Sequence, residues 1–361
     1  CLEINENFFQ AIANKGTCHQ KLNQYLIALE CFEKAIKLNP NFVDLYYNIG
    51  NCFLKLNKYE EAILNFNKII QIKPDFINAI FNKALCYEKL ENFKTALENY
   101  KKIIEIKKDF FLAHLHLGNC FKKIYSFENA IKSYKKAIEI GTKYKSIANY
   151  SLGCLQLLMG NYEEGWKNYE HRKKEKLKLT KSVEWKGEKN LQNKSIFIYN
   201  EQGLGDYIQF CRYLPLIKEF GANIILNTPD KLLPLISSMN IDFKFVDINQ
   251  IEKLQVDYYC SILSLPYAFK TSIETIPNSV PYLKVNEKIK NSWKKNINKN
   301  IKNIGIKWTG NQNYLDDNNR STNLKQLKSL FELPFNFHSL EIEYSDEDKI
   351  LKNNIKNLFC Y

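Results

Sequence analysis

At 361 residues the chain is too long for one ordinary hydrophobic core, which points to about two or three domains. No run approaches the roughly 18 to 20 apolar residues of a membrane helix, and the opening Cys1-Leu2-Glu3-Ile4-Asn5-Glu6-Asn7 lacks the basic-then-apolar order of a signal peptide, so no transmembrane segment and a cytoplasmic location are expected. The formal charge of +13 comes from lysines spread along the chain rather than clustered with arginine and aromatics, which argues against a nucleic-acid partner.

From Phe9 onward the sequence repeats every 34 residues. A small residue falls at the eighth position (Gly16, Gly50, Ala84, Gly118), alanine at the twentieth (Ala28, Ala62, Ala96, Ala130) and an aromatic at the twenty-fourth (Phe32, Phe66, Tyr100, Tyr134). Small residues at these places let two helices of a hairpin approach closely, the aromatic fills the gap to the next hairpin, and Pro40 and Pro74 stop the second helix. The pattern resembles the tetratricopeptide repeat and implies an α-solenoid. A fifth unit, shifted by one residue and carrying Gly153, Gly160, Tyr162 and Gly165, runs into the charged stretch Arg172 to Lys176 and is expected to cap the array, giving a first domain over 1–176.

Cys18, Cys52, Cys86 and Cys120 share the same period, which predicts one small buried position per repeat and reduced thiols; none of the ten cysteines has the C-x-x-C spacing of a zinc site. The sixth position of the repeats holds Asn14, Asn48, Asn82 and then His116. On the first helix of each hairpin this position faces a concave groove, where an asparagine can bond a peptide backbone through both donor and acceptor; solvated asparagine in an Asn-rich chain gives the same spacing.

Beyond Trp185 the period changes. Strands are predicted at 195–199, 222–226, 243–246, around Ile262-Leu263, at 304–308 and over 335–342, with a helix from Asp206 to Phe220 and helical patterns between the others, so the fold expected is a parallel, doubly wound α/β sheet. A Lys- and Asn-rich spacer, 286–303, divides a block over 177–300 from the start of a second one over 301–361, which is expected to be cut short at Tyr361; a chain opening on Cys1 is likewise expected to lack its true start. The fold class expected is multidomain α plus α/β.

The segment Glu201-Gln202-Gly203-Leu204-Gly205-Asp206 lies where a strand gives way to a helix, a place where glycines permit close approach and free amides attract anions. Asp206 there reads either as a proton acceptor or as a helix cap. The only arginines are Arg172, Arg212 and Arg320, and the last two are candidates either for fork-shaped recognition of phosphate or for surface ion pairs.

Trp185-Lys186-Gly187-Glu188, the Glu201 to Asp206 segment with Gln209 to Leu216, Leu263-Ser264-Leu265-Pro266, and Gly305 to Asn311 with Asp317, Arg320-Ser321 and Leu324 together resemble bacterial tetratricopeptide-repeat proteins fused to a heptosyltransferase-like glycosyltransferase. The resemblance implies a GT-B architecture of two Rossmann-like domains, the second incomplete here. It further implies hexose or heptose transfer from a nucleotide-sugar donor to a protein or glycan acceptor without a metal or other cofactor. Asp206 would be the general base; Glu201, Gln202, Gly203, Gly205, Arg212, Asn311, Arg320 and Ser321 would face donor and substrate. The family's later Asp-Thr or Asp-Ser motif followed by Ala-His does not occur in this chain, so the fragment itself is expected to be weak or inactive. Asp346-Glu347-Asp348 fits either a metal-binding D-x-D or a solvated turn. The alternative function is a non-catalytic scaffold that binds proteins through its repeats.

Overall fold

The computed structural model describes residues 8–173, 179, 182–187, 190–239, 241–310 and 321–360. Five helical hairpins open the chain: α1 (Phe9–Lys21) with α2 (Tyr25–Leu38), α3 (Val43–Lys55) with α4 (Tyr59–Ile72), α5 (Ile77–Lys89) with α6 (Phe93–Ile106), α7 (Phe111–Lys123) with α8 (Phe127–Ile140), and α9 (Lys145–Leu158) with α10 (Tyr162–Tyr169). The small eighth position is a steric requirement. A Cβ on Gly50 would stand 2.6 Å from the Phe66 ring, and one on Gly118 would stand 2.4 Å from Tyr134. Phe32, Phe66, Tyr100 and Tyr134 are fully buried as the repeat predicts. The turn inside each hairpin bends through a left-handed residue, Asn23, Asn57, Glu91, Tyr125 and then Gly160.

Cys52, Cys86 and Cys120 are buried, and burial pushes the thiols of Cys52 and Cys86 up to about 11 and about 12. Cys18 departs from the expectation of burial: it is exposed, because among the described residues no hairpin precedes α1 to cover it.

One compact unit comprises Cys1–Thr228 with Ile241–Asn278, so it contains the solenoid and a five-stranded sheet. The strands are β1 (Val183–Glu184), β2 (Ser195–Tyr199), β3 (Asn223–Leu226), β4 (Phe243–Phe245) and β5 (Tyr258–Ser261), in the order β1-β5-β2-β3-β4 and all parallel. Central β2 reads Ile196-Phe197-Ile198 with every residue buried, as a strand covered on both faces must. The chain leaves β2 for β3 and β4 on one side and returns to β5 on the other, which makes β2/β5 the point where strand order reverses. The helix expected from Asp206 to Phe220 is broken into α11 (Leu204–Phe210), a 3-10 turn over Cys211–Tyr213 and α12 (Leu214–Glu219). Pro215 explains the break, since it lacks an amide hydrogen and its ring crowds the carbonyl four residues back. The strand expected around Ile262-Leu263 lies slightly earlier, at β5, and those residues form a 3-10 turn.

The other unit comprises Pro229–Asn240 with Ser279–Tyr361. Its first helix is α13 (Leu233–Ile236); α14 (Leu265–Ala268) follows β5 in the first unit, and α15 (Glu287–Trp293) and α16 (Asp346–Leu351) belong again to the second. Three parallel strands, β6 (Asn303–Ile306), β7 (Asn336–Ser339) and β8 (Leu358–Phe359), pack on a small core of Trp308, Leu324, Phe337 and Leu358. The C-terminal half is thus built on small parallel sheets of five and three strands.

Candidate functional site

The odd-numbered helices α1, α3, α5 and α7 line one face of the array, with α1 touching α3 and α3 touching α5. Asn14 is exposed there, while Asn48, Asn82 and His116 are half-buried. Asn82 donates through Nδ2 to Asn51 Oδ1 at 2.7 Å and Tyr47 Oη at 3.3 Å, so its amide is held by the preceding repeat. His116 is held more firmly: Nδ1 lies 2.9 Å from Glu88 Oε2 and the ring stacks on Tyr100 at 5.5 Å. Tyr100 donates to the same carboxylate oxygen at 2.9 Å. Burial raises the Glu88 pKa, but His116, Tyr100 and Lys89 outweigh it and hold the carboxyl below its ordinary range. The side chains of Asn82 and His116 therefore tie neighbouring repeats together.

The turn after β2 leaves its glycines uncrowded. A Cβ on Gly205 would meet nothing within 4 Å, and one on Gly203 would meet only Asp206 Oδ2 at 3.5 Å. Asp206 stands half-buried in the first turn of α11, whose N-cap is Gly203, and its side chain makes no cap hydrogen bond among the described residues. Gln202 is exposed, and its carbonyl accepts from Asn200 Nδ2 at 2.9 Å. The buried Asn200 Oδ1 has no hydrogen-bond partner among the described residues. Arg212 is half-buried and reaches the Pro277 carbonyl at 3.5 Å.

Glu201 has a partner that the sequence did not suggest. Arg172, in the 3-10 turn that follows α10, is almost completely buried and bonds Glu201 through Nε at 2.7 Å, Glu170 through Nη1 at 2.7 Å and Ser264 through Nη2 at 2.8 Å. Ser261 Oγ donates to Glu201 at 2.6 Å, and Ser264 Oγ donates to Glu170 at 2.9 Å. Lys173 spans Glu170 at 2.8 Å and Glu184 at 2.6 Å. Burial would raise the Glu170 carboxyl, but Arg172 and Lys173 hold it below its ordinary range. Burial pushes the Tyr169 hydroxyl up to about 12, with Asp206 and Glu201 adding to it and Arg172 opposing. Glu201 follows β2, Ser261 ends β5 and Ser264 lies in the turn after it, so the segment after the last hairpin inserts an arginine at the carboxyl ends of the strands where the order reverses. Nearby, a cleft of about 630 Å³ is lined by Tyr162, Trp166, Tyr267 and Lys270, among others, and Trp166 Nε1 bonds the Thr271 carbonyl at 3.1 Å.

In the other unit, Asn311, Asp317 and Arg320 lie outside the described residues. Ser321 is described, and its Oγ accepts from the Gly310 amide at 2.6 Å. Glu341 accepts from the amides of Trp308 at 2.7 Å and Thr309 at 2.6 Å, from Thr309 Oγ1 at 2.6 Å and from Lys307 at 2.7 Å. Burial raises its pKa, yet these donors prevail and hold it low. Asp348 is buried, accepting from Trp308 Nε1 at 3.0 Å and the Leu324 amide at 3.1 Å, whereas Asp346 is exposed and pairs with Lys349. The two ends of the D-x-D segment thus serve separate structural contacts, and no group of three or more candidate metal ligands occurs among the described residues. No helix among them is long and apolar enough to cross a membrane.

Family comparison agrees with the hairpin geometry. Tetratricopeptide-repeat models match residues 9–42, 43–76, 77–110 and 112–140. No curated protein sequence matches the chain. Among solved structures, MamA from Desulfovibrio magneticus RS-1 is similar at 18% identity and a TM-score of 0.41, with 45% of this chain and 90% of that one covered. YrrB, described as a TPR protein with an unusual peptide-binding site, gives 20%, 0.40, 47% and 87% for the same quantities. A thermophilic TPR protein from Thermus thermophilus gives 22%, 0.38, 45% and 88%. The recurring hairpins and the matched models together make residues 9–140 four tetratricopeptide repeats of an N-terminal solenoid.

Proposed function

We propose that the chain is a protein-interaction scaffold whose inner helix face holds an extended peptide. The carrying observation is the common register of Asn14, Asn48 and Asn82 on successive inner helices. Tetratricopeptide arrays bind peptides and proteins, and an asparagine held at its amide by a neighbour, as Asn82 is, keeps its carbonyl oriented toward whatever lies in the groove. A peptide selected from a random library against the full chain tests this. Replacing all three asparagines with alanine should weaken that peptide, each neutral hydrogen bond contributing about 0.5–1.5 kcal/mol. Unchanged affinity would assign the asparagines to solvent.

A second reading is that the α/β part derives from a nucleotide-sugar-dependent, GT-B-like glycosyltransferase with Asp206 as general base. It is favoured by a half-buried, uncapping carboxylate in the first turn after the central strand, beside uncrowded glycines. In an inverting transfer the carboxylate would take the acceptor hydroxyl's proton as that oxygen attacks the anomeric carbon and the nucleoside diphosphate leaves. Asp206→Asn should lower sugar transfer by about 10²–10⁴ while donor binding persists. Transfer within a few-fold of the unaltered chain would remove Asp206 from this role.

A further inference from the structure

We propose that the groove selects an acidic extended peptide whose carboxylates recur about every third residue; this rests on the peptide-binding reading above. Every inner helix of the four matched repeats ends on a lysine: Lys21, Lys55, Lys89 and Lys123. Each stands seven residues after the sixth-position residue of its helix, which at 3.6 residues per turn puts it on the same face, two turns along. All four are exposed, and none forms an ion pair among the described residues.

A lysine at a helix C-terminus also complements the helix dipole. Outer helices also end beside lysines, Lys37 in the last turn of α2 and Lys73 and Lys107 at the C-caps of α4 and α6, so the dipole accounts for lysine at helix ends in general. What sets the four inner lysines apart is that each shares a helix face with the sixth-position residue. Two acidic residues share these helices: Glu88 is engaged by His116 and Tyr100, and Asp44 lies at the opposite end of α3 from Lys55. At the lysine end the turns and outer helices also bring carboxylates, Glu91 after Lys89, Glu60 and Glu61 in the first turn of α4 and Glu128 in that of α8, so the positive character of the face rests on the four lysines themselves, with Lys122 beside them.

The spacing follows from packing. Successive inner helices touch, α1 with α3 and α3 with α5, and touching helices sit about 8–10 Å apart, while an extended peptide advances about 3.3 Å per residue. One lysine per repeat thus meets about every third peptide residue. The sixth-position asparagines would grip the backbone while the lysines choose the side chains.

The test is fluorescence anisotropy of the full chain with a labelled Glu-Ser-Ser repeat peptide, its Gln-Ser-Ser analogue and a peptide of equal composition with the glutamates in one block. The spaced acidic peptide should bind about tenfold or more tightly than the glutamine analogue at low salt, and lose that advantage as salt screens exposed pairs. Lys55→Gln/Lys89→Gln/Lys123→Gln should abolish the preference with an unchanged circular dichroism melt. The charge-reversed Lys55→Glu/Lys89→Glu/Lys123→Glu chain should instead prefer a Lys-Ser-Ser peptide. Equal binding of acidic and glutamine peptides would overturn the lysine role and leave the peptide groove standing. Equal binding of spaced and blocked peptides would overturn the register. If a library yields no peptide of any charge, the underlying groove reading fails first.

Discussion

Tyr125 is the most conspicuous single residue in the solenoid. It holds a left-handed conformation, φ 59°, that the first two repeats give to asparagine and the fifth gives to glycine. Its side chain is 82% exposed, so little packing offsets the backbone strain. Tyr125→Asn should therefore stabilise the chain, by about 0.5–1 kcal/mol given a left-handed penalty of about 1–2 kcal/mol for ordinary residues. Urea denaturation would show this as a higher midpoint at unchanged slope; a lower midpoint would mean that the Tyr125 ring contact with Phe127 matters more than the strain.

Glu341 sets a pH dependence at the same scale. Its carboxyl is held below the ordinary range, and its anion accepts from Lys307, Thr309 and Trp308. A group with a depressed folded pKa contributes stability that is present above its unfolded pKa of about 4.3 and is lost as pH falls through the folded value. Melts followed by tryptophan fluorescence should show the unaltered chain weakening in that acidic window more steeply than Glu341→Gln. Equal slopes would show that the loop beside Trp308 does not depend on the charge.

Among elements, the hairpins differ in what confronts their small residues. At Gly118 an added methyl would meet the Tyr134 ring, and the third repeat, with Ala84 opposite Tyr100, already accommodates such a methyl. At Gly153 it would meet backbone, the Tyr169 amide nitrogen at 2.6 Å and the Asn168 carbonyl carbon at 2.8 Å. Rings can tilt; a helix backbone moves only as a body. Gly153→Ala should cost about 1–3 kcal/mol as overpacking, and Gly118→Ala clearly less, since alanine's helix propensity returns up to about 1 kcal/mol. Thermal melts of the two variants decide it, and equal losses would place the limit in the helix rather than its neighbour.

At the scale of the molecule, the solenoid's stability rests on contacts between adjacent hairpins, so its first four repeats need little from the sheet. The fifth hairpin is different. Arg172 is buried among Glu170, Glu201 and Ser264, and removing one partner of such a cluster strands the others. Arg172→Ala should destabilise the chain by about 3–5 kcal/mol, with hydrogen exchange rising in α10 and in the β2 and β5 exits while α1 to α6 keep their protection. Uniform loosening throughout would show one cooperative unit instead.

The sequence by itself determined the repeats. Their contacts join residues close in the chain, so the period of small, alanine and aromatic positions already states which side chains meet. It also marked β2 to β7 near their observed places, because buried parallel strands carry apolar runs, but not the two-residue β1 and β8, which are too short to show a pattern. Tertiary structure alone decided what the candidate polar residues touch. Asn82 meets Asn51 across 31 residues, His116 meets Glu88 across 28, and Arg172 reaches Ser264 across 92. Such hydrogen bonds depend on direction and distance between elements, which a one-dimensional pattern of hydrophobicity does not encode.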